Sequence, residues 1–80
     1  MDIKTYQKIL TENNINNNNV EEASDSHEFS RFNKGDIVLF ENSLYEITYI
    51  ADNRGSRLNI YSHVELLDLQ TGEHRSVAFK

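Results

Sequence analysis

Arg54 and Arg57 lie in the run Asp52-Asn53-Arg54-Gly55-Ser56-Arg57-Leu58-Asn59, between two stretches that alternate like strands. Two guanidiniums at the tip of one loop, Arg54-Gly55 and Arg57, could grip a phosphate or a carboxylate in bidentate fashion. A polar hairpin tip with two solvated arginines is the competing reading. Tyr45, Tyr49 and Tyr61 form a second candidate group. Such rings could line an open sheet face and stack on bases or on a partner, or brace the core of so small a domain. Ser62-His63 and His74-Arg75-Ser76 bring hydroxyl and imidazole close in sequence, but no nucleophile motif surrounds them. His27, His63 and His74 are scattered, without the spacing of a zinc site, and His27 beside Glu28 finds no second ligand at helical or hairpin distance. The three glycines are too far apart for a phosphate-binding loop. The sequence therefore predicts no enzyme, no metal and no cofactor. Its chemistry is that of non-covalent binding.

Eighty residues allow one domain, with a core that buries only about 60% of the surface its unfolded chain exposes. With no cysteine to staple it, stability must come from packing. No apolar run approaches the roughly 20 residues that span a bilayer, and MDIKTYQKIL lacks a secretory apolar segment. The expected setting is cytoplasmic, or inside a virion, with no membrane partner. The net charge of −5 opposes broad phosphate binding. It is concentrated in residues 1–29, where two lysines face six carboxylates, whereas residues 30–80 are nearly neutral.

Three segments must position these groups. In residues 1–12, Ile3, Tyr6, Ile9 and Leu10 fall on one face of a short amphipathic helix that Asp2 could cap. Alone it is too short to be stable, so it docks or frays. Residues 13–30, NNINNNNVEEASDSHEFS, hold six Asn around one Ile and then acidic and Ser residues. That composition predicts a disordered Asn-rich linker. Residues 31–80 alternate: Tyr45, Ile47 and Tyr49 fall on one side of a strand, and Ser62, Val64 and Leu66 on one side of another. Gly35 and Gly72 mark turns. Short strands with turns between them predict an all-β small barrel.

Residues 31–80 resemble the N-terminal domain of elongation factor P and its hypusine-bearing eukaryotic and archaeal counterpart. The likeness rests on Phe32 and Gly35, on Leu44-Tyr45-Glu46-Ile47, on Val64-Glu65-Leu66, on Asp68-Leu69-Gln70-Thr71-Gly72 and on Phe79. It implies an SH3-like barrel of the KOW type, preceded here by the short helix and the linker. In that family the loop matching DNRGSRLN carries a modified lysine that reaches toward transfer RNA. Here Arg57 stands at the lysine position, Leu58 replaces a glycine and there is no proline. Arginine cannot take a lysine-type modification.

Lys4-Thr5-Tyr6-Gln7 resembles the start of capsid-targeting peptides of internal head proteins of large contractile-tailed phages. In those peptides a prohead protease cuts after a Leu/Ile-x-Glu signal. Leu10, Thr11 and Glu12 match it, and cleavage would release Asn13 onward. A helix that packs on the barrel is the competing account of the same residues. Two functions follow as expectations. One is a phage-encoded internal or host-modulating binding module whose partner is a host or phage protein. The other is a translation-related barrel that meets RNA or the ribosome through the Arg54–Arg57 loop. Either would act as a monomer or weak dimer.

Overall fold

The computed structural model describes residues 1–53 and 61–79. The chain is a small β-rich fold with a short N-terminal helix. Helix α1 spans Ile3–Glu12, and Asp2 caps it by accepting the Thr5 N–H at 2.8 Å. Strands β1 (Val20–Ala23), β2 (Ile37–Phe40), β3 (Ser43–Ala51), β4 (Ser62–Asp68) and β5 (His74–Phe79) form one mixed sheet in chain order. β1 runs parallel to β2, from Val20↔Ile37 to Ala23↔Phe40, and every other pairing is antiparallel.

Each face of the sheet has its own core. Val38 and Phe40 of β2, Tyr45 and Ile47 of β3, Val64 and Leu66 of β4 and Phe79 of β5 point to the inner face. There they meet Ala23, Phe29 and Phe32. Leu44 points the other way, onto Ile9 and Leu10 of α1, with Tyr6, Ile15, Val20, Ile37, Leu39 and Leu69 around them. α1 therefore docks, and its apolar stripe explains why. Ile9 and Leu10 are buried, although Ile3 at the first turn is left exposed.

The expectation of a disordered linker over residues 13–30 is corrected here. These residues hold a 3-10 turn (Asn17–Asn19), β1 and a 3-10 helix (Ser26–Arg31). The apolar groups are few, but each enters a core. Ile15 and Val20 go under α1, while Ala23 and the fully buried Phe29 go into the inner core. Burying a phenylalanine contributes about 1.5–3 kcal/mol, and Phe29 meets Phe32 and Phe40 edge-on with centroids 5.9 and 5.0 Å away. Asp25 caps the 3-10 helix at the His27 N–H, and Glu28 reaches back to the Ser24 N–H.

Barrel closure differs from expectation too. β1 and β5 lie at opposite edges of an open sheet. The 3-10 helix occupies the place between them and packs against both, so the strands that would close the ring are held apart. The sheet is nonetheless strongly curled, because Arg75 at the start of β5 reaches Glu41 just past the end of β2. Glu41 and Asn42 both have positive φ, at 48° and 64°, which is the pattern of a type I′ hairpin turn. No helix among the described residues is long and apolar enough to cross a membrane.

Candidate binding surface

β3 and β4 carry the exposed aromatic groups, and an irregularity in β3 aims them. Ile47 pairs with Leu66, but the next pair is Tyr49 with Glu65. Thr48 is the extra residue of a bulge, and its hydroxyl is bonded to the Glu65 carbonyl at 3.1 Å. A one-residue insertion exchanges the two faces beyond it. Ile50 therefore packs against the inner core, whereas Tyr49 turns outward and is 50% exposed. Its ring lies 5.8 Å from that of His63, tilted by 48°. Ala51, His63 and Ala78 sit abreast on three adjacent strands. Small neighbours thus leave the two rings standing proud.

Tyr61, 59% exposed, completes the surface. The stem beneath it is pinned. Buried Ser62 accepts the Asn53 N–H through Oγ at 2.8 Å and donates to Asp52 at 3.3 Å, while Asn53 Nδ2 donates to the Tyr61 carbonyl at 3.0 Å. Ser62 and His63 consequently face opposite sides of β4, and the Ser62 hydroxyl is committed to the stem. Side by side in sequence, they form no nucleophile–base pair. Arg54, Gly55 and Arg57 lie outside the described residues.

Tyr45 does not join this surface, which corrects its place among the stacking candidates. It is 6% exposed on the inner face, where its hydroxyl accepts from Arg75 Nη1 at 3.2 Å. The Arg75 guanidinium lies 5.3 Å from the Phe40 centroid and 6.0 Å from that of Tyr45, and Nη2 donates to Glu41. The Glu41 carboxylate, and then the Tyr45 hydroxyl, raise the Arg75 pKa above its ordinary value. Arg75 therefore stays charged and straps the end of β5 to the β2–β3 turn.

The candidate processing residues are split by burial. Leu10 faces the sheet from α1 at 7% exposure, whereas Thr11 and Glu12 are on the helix's exposed last turn. The bond after Glu12 sits at a capped helix end: the Asn13 N–H and Nδ2 both bond the Ile9 carbonyl. A protease would have to lift this turn off the sheet first, so the bond is less open than a flexible linker would leave it.

Sequence reasoning missed the Arg75–Glu41–Tyr45 strap and the Thr48 bulge. The strap joins Arg75 to residues 30 and 34 positions away, which no local pattern reveals. The 3-10 helix did leave a signal, Asp25-x-x-Glu28 followed by Phe29, a capping pattern ahead of an apolar residue. Among the described residues, no group of three or more His, Asp or Glu could hold a metal ion. The arrangement can stack, hydrogen-bond and bury apolar area against a partner. No family model, curated protein or solved structure matches the chain.

Proposed function

We propose that this chain is a non-enzymatic binding module: a small SH3-like barrel of the KOW type, open along one seam, that presents Tyr49, His63 and Tyr61 to a partner protein. The observation that carries the reading is the exposure of two large rings, 50% and 59%, beside a bulge that turns one of them outward. Tyrosines bring contact area at low entropic cost, and such residues dominate the energetics of protein interfaces. The barrel assignment is supported by the curl that brings Arg75 to Glu41 and by Phe29 filling the interior.

The proposed setting is a phage-encoded internal or host-modulating protein. It is supported by the Lys4-Thr5-Tyr6-Gln7 run and by Leu10-Thr11-Glu12 at the end of an amphipathic helix. The same exposed rings could instead stack on RNA bases, as the likeness to elongation factor P suggests. A net charge of −5 weighs against that alternative.

The test is capture from extracts of the source cells. The full chain and a Tyr49→Ala/Tyr61→Ala variant are immobilised side by side, with and without ribonuclease. A protein retained by the wild type, insensitive to ribonuclease and reduced at least about tenfold by the variant, an effect of hot-spot size, is the expected result. Ribonuclease-sensitive retention would transfer the surface to RNA. Equal retention by both chains would remove the aromatic surface from the function. Intact mass of the native protein addresses the packaging role, for which a species starting at Asn13 is expected.

A further inference from the structure

The two edges of the sheet are treated differently, and the difference is in the polar groups. On β1 the edge is plugged from within: Arg31 Nη2 donates to the Glu22 carbonyl at 3.1 Å, and Glu28 accepts the Ser24 N–H at 2.6 Å. Among the described residues no side chain bonds the edge of β5 along its middle, although the 3-10 helix packs against part of the strand. Asp68 N–H bonds the Glu73 carbonyl at 2.8 Å, which fixes the phase of the β4–β5 ladder. Hydrogen-bonded and non-hydrogen-bonded pairs alternate in an antiparallel ladder, so Arg75, Val77 and Phe79 bond inward to β4. His74, Ser76 and Ala78 then turn their N–H and C=O groups to the free edge. Both Ser76 and Ala78 are exposed.

Beside that edge lies a cavity of about 460 Å³. Phe40 and Val77 supply its apolar part, Ser24, Asp25 and Ser26 stand across from β5, and the Arg75–Glu41 strap lies at its border. The surrounding charge is one-sided. Asp25 and Glu41 line the cavity itself, and Glu21, Glu22 and Glu28 line the adjoining pocket that shares Ser24, so five carboxylates stand against the guanidiniums of Arg31 and Arg75. Both guanidiniums are already paired, Arg31 with Glu21 and Glu28, and Arg75 with Glu41. The seam therefore combines an open strand edge, an apolar floor and an acidic wall.

We propose that this seam takes an extended, basic segment of a partner protein as an added strand on β5. Main-chain bonds to Ser76 and Ala78 supply the pairing. Alternate side chains reach the Phe40–Val77 floor, and lysines or arginines meet the acidic wall. A second copy of this chain fits less well, because each copy brings a net charge of −5. RNA phosphate is repelled by the same carboxylates. The inference does not depend on Tyr49 and Tyr61. A partner could be held by the seam alone, and a failed aromatic surface leaves this proposal standing.

The probe is a short blocked peptide of alternating lysine and valine, titrated into the isotope-labelled full chain and followed by NMR. The amide signals of Ser76, Ala78 and the Ser24–Ser26 corner should shift, the Ser76 and Ala78 amides should exchange more slowly, and added salt should weaken the effect. The matching glutamate–valine peptide should not bind. Ser76→Pro removes an edge-facing N–H that β4 does not use, a position where proline is tolerated. It should weaken binding roughly three- to tenfold, the worth of one hydrogen bond. Glu22→Lys, at an exposed site, should weaken it also and serves should the proline variant not fold. No shifts at millimolar peptide, equal binding of the acidic peptide, or shifts indifferent to both variants would overturn the proposal. So would a free protein that sediments as a dimer with Ser76 and Ala78 already protected.

Discussion

The outer face of the sheet has two halves, and they are finished in opposite ways. On the half formed by β1, β2 and the start of β3, Ile37, Leu39 and Leu44 are covered by α1. On the half formed by the end of β3, β4 and β5, Tyr49 and Tyr61 are left exposed around His63. The residue types explain the division. A cluster of aliphatic groups is costly to leave in water, and the chain covers this one with Ile9 and Leu10. A tyrosine has a polar tip that water can satisfy, so its ring can stand at the surface. One half of the face is thus a stability element, and the other keeps its rings at the surface.

The largest test of this contrast is a pair of truncations. Leu44→Ala, beneath α1 and fully buried, should cost about 2–5 kcal/mol in denaturant unfolding. Tyr49→Ala should stay within roughly 0.5 kcal/mol, as exposed substitutions do. Comparable losses at both sites would break the distinction between the halves.

Deleting Thr48 sharpens it. With the extra residue gone the strand alternates regularly, so Tyr49 stays opposite Glu65 on the outer face and Ile50 stays opposite Val64 on the inner one. Losing the bond from the Thr48 hydroxyl to the Glu65 carbonyl should cost about 0.5–1.5 kcal/mol, and the Tyr49 ring signals should stay open to solvent. A Tyr49 ring that becomes shielded would mean that Thr48 is not the extra residue of the strand.

The Arg75 strap gives a smaller effect. Its partners are half exposed, so Glu41→Gln should cost at most about 1 kcal/mol, and less in high salt. Glu41→Gly should come closer to neutral, since glycine relieves the positive φ of 48°.

The smallest effect concerns the cap of α1. The Thr5 backbone N–H, and next the Thr5 side chain, hold the Asp2 carboxyl below its usual pKa. A depressed carboxylate stabilises the fold above its unfolded pKa and loses that contribution as pH falls through the folded one. Helix signals of residues 3–6 should therefore weaken only below about pH 4, and Asp2→Ala should abolish that dependence. A transition in α1 near neutral pH would contradict it.

Much of the fold could be read along the chain because it is local. The α1 stripe, the Asp2 cap, the Gly72 turn and the alternation of Ser62, Val64 and Leu66 are short-range patterns, and the structure has all of them. Residues 13–30 were opaque for a physical reason. Their average composition is polar, yet Val20, Ala23 and Phe29 each have a place in a core built by residues far away. The parallel pairing of β1 with β2 is likewise non-local. Tyr49 and Tyr61 were candidates in the sequence, with surface exposure and core packing both open. Tyr45 was not separable from them, since its burial depends on Arg75, 30 positions on. The bulge hid as well, because Tyr45, Ile47 and Tyr49 alternate perfectly in sequence, and only the Glu65 register shows the slip.

The most direct measurement is solvent relaxation in the full chain, using a neutral gadolinium chelate and reading side-chain signals on both halves at once. The account predicts strong broadening of the Tyr49 and Tyr61 rings and little change in the methyls of Leu10 and Leu44. Methyls of Leu10 and Leu44 that broaden as fast as those rings would mean that α1 does not seal its half, and the division proposed here would fail.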